Sequence, residues 1–218
     1  MKKVLLSGVL VLILAIGISA QPSFKSGLSG KGFKIGLGMA KFTGSDLGSL
    51  EDFMGTETKH LSRFTGGAFL TFSLSPMFAI QPEALISMKG AKWSEGGASL
   101  SEKLTYLQIP ILAKIMFQTP GVVKPSIYAG PTMGFLLSAK ETLEGTGQYD
   151  GDVDVKDSYQ GNDIGLILGF GVDVGAGGGA VTFDARYEMG LSKIMKGGGG
   201  YTPDIKNSQF AFLVGYSF

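Results

Sequence analysis

The last ten residues alternate without a break. Phe210, Phe212, Val214, Tyr216 and Phe218 fall on one face, and Gln209, Ala211, Leu213, Gly215 and Ser217 on the other. A period of two marks a β-strand whose two faces meet different surroundings. Seven further segments repeat the pattern, at about 32–42, 64–74, 78–89, 104–117, 124–140, 163–174 and 181–191. Most are ten residues or longer, and roughly 9–11 tilted residues cross a bilayer. The connections alternate in length. Those at 75–77, 118–123 and 176–179 are short; those at 44–62, 90–101, 141–161 and 192–208 are expected to be long, polar loops. Short turns at one end and long loops at the other are the rhythm of transmembrane hairpins.

The occupants of the two faces decide between a soluble sheet and a membrane barrel. The apolar face is continuous along whole strands. The other face carries Glu83, Lys114, Asp184, Arg186 and Glu188 at mid-strand, among many Gly, Ser and Thr. A barrel in lipid turns the apolar face outward and gathers the charges inside. In lipid every backbone N–H and C=O must be paired, so the sheet has to close. The expected fold is therefore all-β: an eight-stranded antiparallel up-and-down transmembrane β-barrel. Eight strands leave an interior just wide enough for side chains. Glu83, Lys114, Asp184, Arg186 and Glu188 are expected to pair as a lumen charge network, with Lys34 and Gln108 as further candidates, because buried unpaired charge is costly. A soluble lipocalin-like barrel would need the opposite facing.

The remaining features fit export. Met1-Lys2-Lys3, the apolar run 4–18 and Ile18-Ser19-Ala20 read as a secretory signal cleaved after residue 20, which leaves 21–218 as the barrel domain. No cysteine is present, so disulfides do not hold the exported domain together. Taking Lys2 and Lys3 from 19 basic residues leaves 17 against 18 acidic, a balance that argues against nucleic acid as a partner. The 35 glycines follow no collagen period and sit within apolar strands, as in a crowded, curving sheet. Tyr216 and Phe218 share one face of the last strand and resemble the C-terminal signal read by barrel-assembly machinery. The expected site is the outer membrane, and the expected partners are its lipid, that machinery and other envelope proteins.

Several stretches resemble the PorT-like outer-membrane β-barrel family. They are Gly66-Gly67, Gln81-Pro82-Glu83, Lys89-Gly90-Ala91-Lys92, Tyr106-Leu107-Gln108-Ile109-Pro110-Ile111-Leu112, Ala129-Gly130-Pro131, Gly169-Phe170-Gly171 and Arg186-Tyr187 with Gly190-Leu191. The tyrosine–proline stretch is the most specific. Gln108 departs from the pattern, since relatives often carry Glu there. The resemblance implies a barrel and an envelope location and little about activity; its namesake member is tied to a protein-secretion and gliding apparatus, and most relatives have no assigned role. The expected role is a structural anchor or accessory subunit of an envelope assembly, with long surface loops for interaction. The resemblance supplies no catalytic residues. A small-ligand or porin-like barrel is the alternative.

Chemical motifs are sparse. His60 is the single histidine; Asp46, Glu51, Asp52 and Glu57 lie near it in sequence without a nucleophile motif, so no enzymatic role is expected. Asp150-Gly151-Asp152-Val153-Asp154 opens like a calcium loop, but Val155 and Gly161 stand where glycine and a closing carboxylate are needed. Gly169-Phe170-Gly171 and the run 175–179 lack the helix that a dinucleotide fingerprint requires. No metal or cofactor is expected. Trp93, Tyr106, Phe117, Tyr187, Tyr201 and Tyr216 are candidates for interfacial girdles, with Trp93 and Tyr201 also candidates for loop contacts to a ligand.

Overall fold

The computed structural model describes residues 26–147 and 150–218; the signal segment 1–20 lies outside them. Its strands are β1 (Gly27–Thr43), β2 (Leu61–Ser73), β3 (Phe78–Glu95), β4 (Ala98–Met116), β5 (Val123–Glu144), β6 (Gly151–Asp154), β7 (Asn162–Ala176), β8 (Gly179–Gly190) and β9 (Lys206–Ser217). One helix, α1 (Leu47–Met54), lies between β1 and β2. The strands run β4-β3-β2-β1-β9-β8-β7-β5, and a further β4–β5 pairing shuts the ring. The short β6 pairs with the far end of β5. Eight antiparallel strands thus form a closed up-and-down barrel, and the backbone groups that a free edge would leave bare are paired.

The faces sort as the lipid solvent demands. On β1, Phe33, Ile35 and Leu37 are 61%, 60% and 65% exposed, while Lys34 between them is 2% exposed. Phe212 and Val214 of β9, and Leu168 and Phe170 of β7, likewise point outward. Glycine makes the inward face fit. A Cβ on Gly169 would meet the Tyr128 ring at 2.4 Å, and one on Gly38 would meet the Gln209 amide nitrogen at 2.3 Å.

One expected loop is not a loop. Residues 90–101, read as a long polar connection, continue β3 and β4 to a tight hairpin in which Glu95 pairs with Ala98. The turn residues Gly96 and Gly97 have φ of 57° and 93°. Positive φ at both central positions is the requirement of a type I′ two-residue hairpin turn, and glycine meets it without a steric penalty. Polarity was a poor guide because both strands rise past the apolar band: outward Met88 gives way to Lys92, and outward Leu107 to Lys103.

A charge on the outward face tests the facing. Leu37→Arg is expected to destabilise the barrel in lipid vesicles by about 2–4 kcal/mol if the residue sits near the bilayer midplane. Denaturant unfolding from vesicles measures it; an unchanged midpoint would mean that this face does not meet hydrocarbon.

Candidate functional site

The inward residues build three layers. The lowest centres on Glu83 of β3. Lys34 Nζ donates to Glu83 Oε1 at 2.7 Å and to Asp184 Oδ2 at 2.8 Å. Arg186 Nη1 donates to Glu83 Oε2 at 2.7 Å, and Gln81 Nε2 donates to Oε1 at 2.7 Å. Lys34 also lies 4.6 Å from the centre of the Phe69 ring. Two cations and two carboxylates from β1, β3 and β8 therefore cancel. Burying charge is favourable only with such geometry and with the remaining lone pairs filled.

A second layer lies toward the long-loop end. Lys89 Nζ reaches Glu188 Oε1 at 2.5 Å and Asp163 Oδ2 at 3.1 Å. Gln108 Nε2 donates to Glu188 at 2.7 Å, and Asn207 Nδ2 to Asp163 at 2.9 Å. Here two carboxylates face one ammonium, and neutral amides supply the other donors. Arg63, inward opposite Gly38, has a buried Nε without a partner among the described residues.

Above these layers the lumen turns apolar. Phe42, Ala91, Trp93, Leu104, Tyr106, Leu136, Ala139, Tyr159, Ile194 and Ile205 form one buried cluster, with Leu47, Leu50 and Met54 of α1 packed on it. Trp93 and Tyr106, candidates for an interfacial girdle, are instead 2% and 0% exposed inside this cap. Tyr159 donates its hydroxyl to Glu102, which ties the loop after β6 to the barrel wall. At the opposite end a vestibule of about 410 Å³ is bounded in part by Lys34, Gln81, Lys114, Lys124, Asp173 and Asp184. The lumen is blocked between vestibule and loops.

The long loops brace one another. Asp46 accepts from the Asp204 backbone N–H at 2.7 Å and from the Tyr201 hydroxyl. Asp204 accepts from Ser45 N at 3.2 Å and Ser45 Oγ at 3.0 Å, and pairs with Lys206 at 3.0 Å. The Asp204 backbone N–H holds the Asp46 carboxyl below its usual range, and the Lys206 ammonium holds Asp204 at about 2. The carboxylates of 150–154 are also engaged: Asp150 by Thr146, Asp152 by Thr142 and Asp154 by the Lys156 N–H.

Of the residues singled out in the sequence, Glu83, Asp184 and Arg186 meet in the lowest layer. Glu188 belongs to the second, and Lys114 pairs apart from both, with Asp173 at 3.0 Å beside the vestibule. Lys89, Asp163, Asp173 and Asn207 were not among the residues expected to form the lumen charge network. They stand at strand ends in the sequence, where an inward charge looks like a loop charge; only their place in the alternation of Ser87, Lys89 and Ala91 signals the interior. Tyr216 and Phe218 face outward with rings 5.5 Å apart.

Comparison with known proteins places this architecture. The sequence model of the outer membrane protein beta-barrel domain matches residues 19–196. Neisserial surface protein A superposes with a TM-score of 0.50 at 19% identity, covering 88% of this chain and 99% of its own. Ail of Yersinia pestis gives 0.43 at 14% identity, with 89% and 100% covered. OprG of Pseudomonas aeruginosa gives 0.41 at 11%, with 88% and 97% covered. No curated protein matches the chain.

Two outcomes follow from the layers and the loop braces. Glu83→Gln removes the carboxylate that Arg186 and Lys34 share and leaves Asp184 alone against two cations, and is expected to cost about 3–5 kcal/mol of stability, as for a broken buried pair. Guanidinium unfolding from vesicles reads this, and a loss below about 1 kcal/mol would mean that the layer is hydrated. For the braces, both carboxyls sit below their unfolded value near 3.9, so their contribution is full above about pH 4. It fades as pH falls toward about 2. Limited proteolysis of the loops in acid should accelerate across that window, and Asp204→Asn should accelerate it at neutral pH.

Proposed function

The chain belongs to the outer membrane protein β-barrel domain family and resides in the cell outer membrane, and from that premise we propose that it is a sealed anchor. It serves as a structural or accessory subunit of an envelope assembly and presents its braced loops to partner proteins. The observation that carries this reading is the filled lumen: two charge layers beneath an apolar cap of aromatic and aliphatic side chains. A pore would need a polar water path past Trp93 and Tyr106, and both are buried. The PorT-like resemblance supports membership of a secretion-type assembly, and the sealed geometry fits a subunit whose work lies at its surfaces. The vestibule favours one second reading, a binding site for a small polar solute on the periplasmic side.

Planar-bilayer recording separates these readings from a channel: the purified protein is expected to give no large, steady conductance. Extraction in mild detergent should carry envelope proteins with it, identified by mass spectrometry. A barrel that conducts steadily and purifies alone would overturn the anchor reading.

A further inference from the structure

The periplasmic mouth differs in charge balance from the layers above it. The vestibule of about 410 Å³ meets the layer around Glu83 at its inner end, through Lys34, Gln81 and Asp184. That layer is self-contained. Glu83 Oε1 accepts from Lys34 and Gln81, its Oε2 accepts from Arg186, and Lys34 also donates to Asp184. Nearer the mouth, Lys114 and Lys124 line the cavity and share one carboxylate, Asp173. Lys114 is bonded to it, and Lys124 stands directly across the β5–β7 pair from it. Four cations, Lys34, Arg186, Lys114 and Lys124, thus answer three carboxylates, Glu83, Asp184 and Asp173.

The Lys114 ammonium is short of acceptors. Its side chain is 7% exposed, yet Nζ makes one bond, to Asp173 Oδ2 at 3.0 Å. An ammonium carries three donors, so two are left over on a buried group, where an unmade bond is costly. Lys124 takes part in no ion pair among the described residues. An anionic acceptor suits such donors better than a neutral one, because a bond with charge on both sides is roughly twice as strong.

The wall facing these lysines is made of hydroxyls. In the closed strand order, β1 lies across the ring from β5 and β2 across from β7. Ser29 of β1 and Thr71 of β2 line the cavity on that far side. Ser29 Oγ lies 2.6 Å from Ser73 Oγ and donates to Thr71 O at 3.2 Å. Thr71 Oγ1 donates to Gln81 Oε1 at 3.2 Å. Each hydroxyl also offers two acceptor lone pairs, so the row keeps acceptors for a ligand. Ser217 of β9 adds another hydroxyl beside Gly30. A Cβ on Gly30 would come within 2.8 Å of Ser217 Oγ, so glycine keeps this side of the cavity open.

We infer that the vestibule binds a small hydroxylated carboxylate of the sugar-acid class, its carboxylate on Lys114 and Lys124 and its hydroxyls on Ser29, Thr71 and Ser217. The inference rests on the vestibule reading given above and supplies its ligand class. One excess positive charge selects a monoanion, since a dianion would leave the mouth net negative. The cavity volume falls within the range of small-molecule sites, about 300–1,000 Å³.

The test is titration calorimetry of the full barrel in detergent micelles, with gluconate, glucose and inorganic phosphate as probes. Gluconate is expected to bind roughly tenfold more tightly than glucose, and less tightly as salt is added. Lys114→Gln should weaken gluconate binding roughly 10- to 100-fold, as for a lost bond to a buried charge. Lys124→Gln, at the exposed mouth where folding is not at stake, should weaken it roughly fivefold. Lys31→Gln, outward on the same rim, should bind as the unsubstituted protein does. Glucose binding as tightly as gluconate would overturn the sugar-acid proposal and leave the vestibule a site for neutral solutes. Phosphate binding as tightly as gluconate would overturn it in favour of any small anion, and so would undiminished binding in both Lys114→Gln and Lys124→Gln, which would put the site elsewhere. No heat from any of the three probes would remove the vestibule reading together with the proposal.

Discussion

Closure of the backbone ladder is the constraint from which the rest follows. Hydrocarbon offers no partner for a bare N–H or C=O, so β4 must find β5 and β1 must find β9. Once eight strands close, the lumen diameter is fixed and side chains must fill it. Every inward polar group then has to be satisfied by another inward group or by water. Glu83 illustrates the consequence: Lys34 comes from β1 and Arg186 from β8, so two distant parts of the chain must arrive in one register before either charge is safe. The buried ions contribute little net stability by themselves, but they penalise any slipped register, because a shift of one residue would turn these ions toward lipid.

How far this was legible in the sequence depends on the kind of information. Facing was legible, because period two is a local property and Phe33-Lys34-Ile35 states it within three residues. The identity of the charged group around Glu83 was legible in part, since mid-strand charges in a membrane strand have nowhere to go but inward. The partners were not. Which inward residues share a level depends on the stagger of all eight strands, a quantity no single segment contains. Lys114 shows this: it stands on β4 beside strands rich in carboxylates, yet stagger brings it to Asp173 rather than to Glu83 or Glu188. Trp93 and Tyr106 were misplaced for a related reason. Aromatic residues near strand ends suggest an interface, but their parity is inward.

The wall beyond the band reverses the meaning of the alternation. Within the band, outward means apolar and inward is mostly polar, with Leu112, Tyr128 and Ile167 as a small apolar cluster among the charges. Past Met88 and Leu107, outward positions carry Lys92, Lys103 and Lys140, and inward positions carry Trp93, Leu104 and Ala139. The extension is thus built like a soluble protein, with an apolar core inside and charges outside, on the same continuous strands. The polarity switch made 90–101 read as a loop, although the backbone pairing runs through it unbroken.

These two zones divide the work. In the membrane zone each interior cation has a carboxylate within reach, apart from the half-buried Arg63, so little charge there is available to anything outside the barrel. In the upper zone α1 and the loop before β9 are locked together through Asp46 and Asp204, so the surface they present is preformed and loses little entropy on binding. Lys92, Lys103 and Lys140 stand on the outer wall of this zone. A molecule sealed within acts through its surfaces, and the strand extension holds those surfaces at a fixed height above the bilayer.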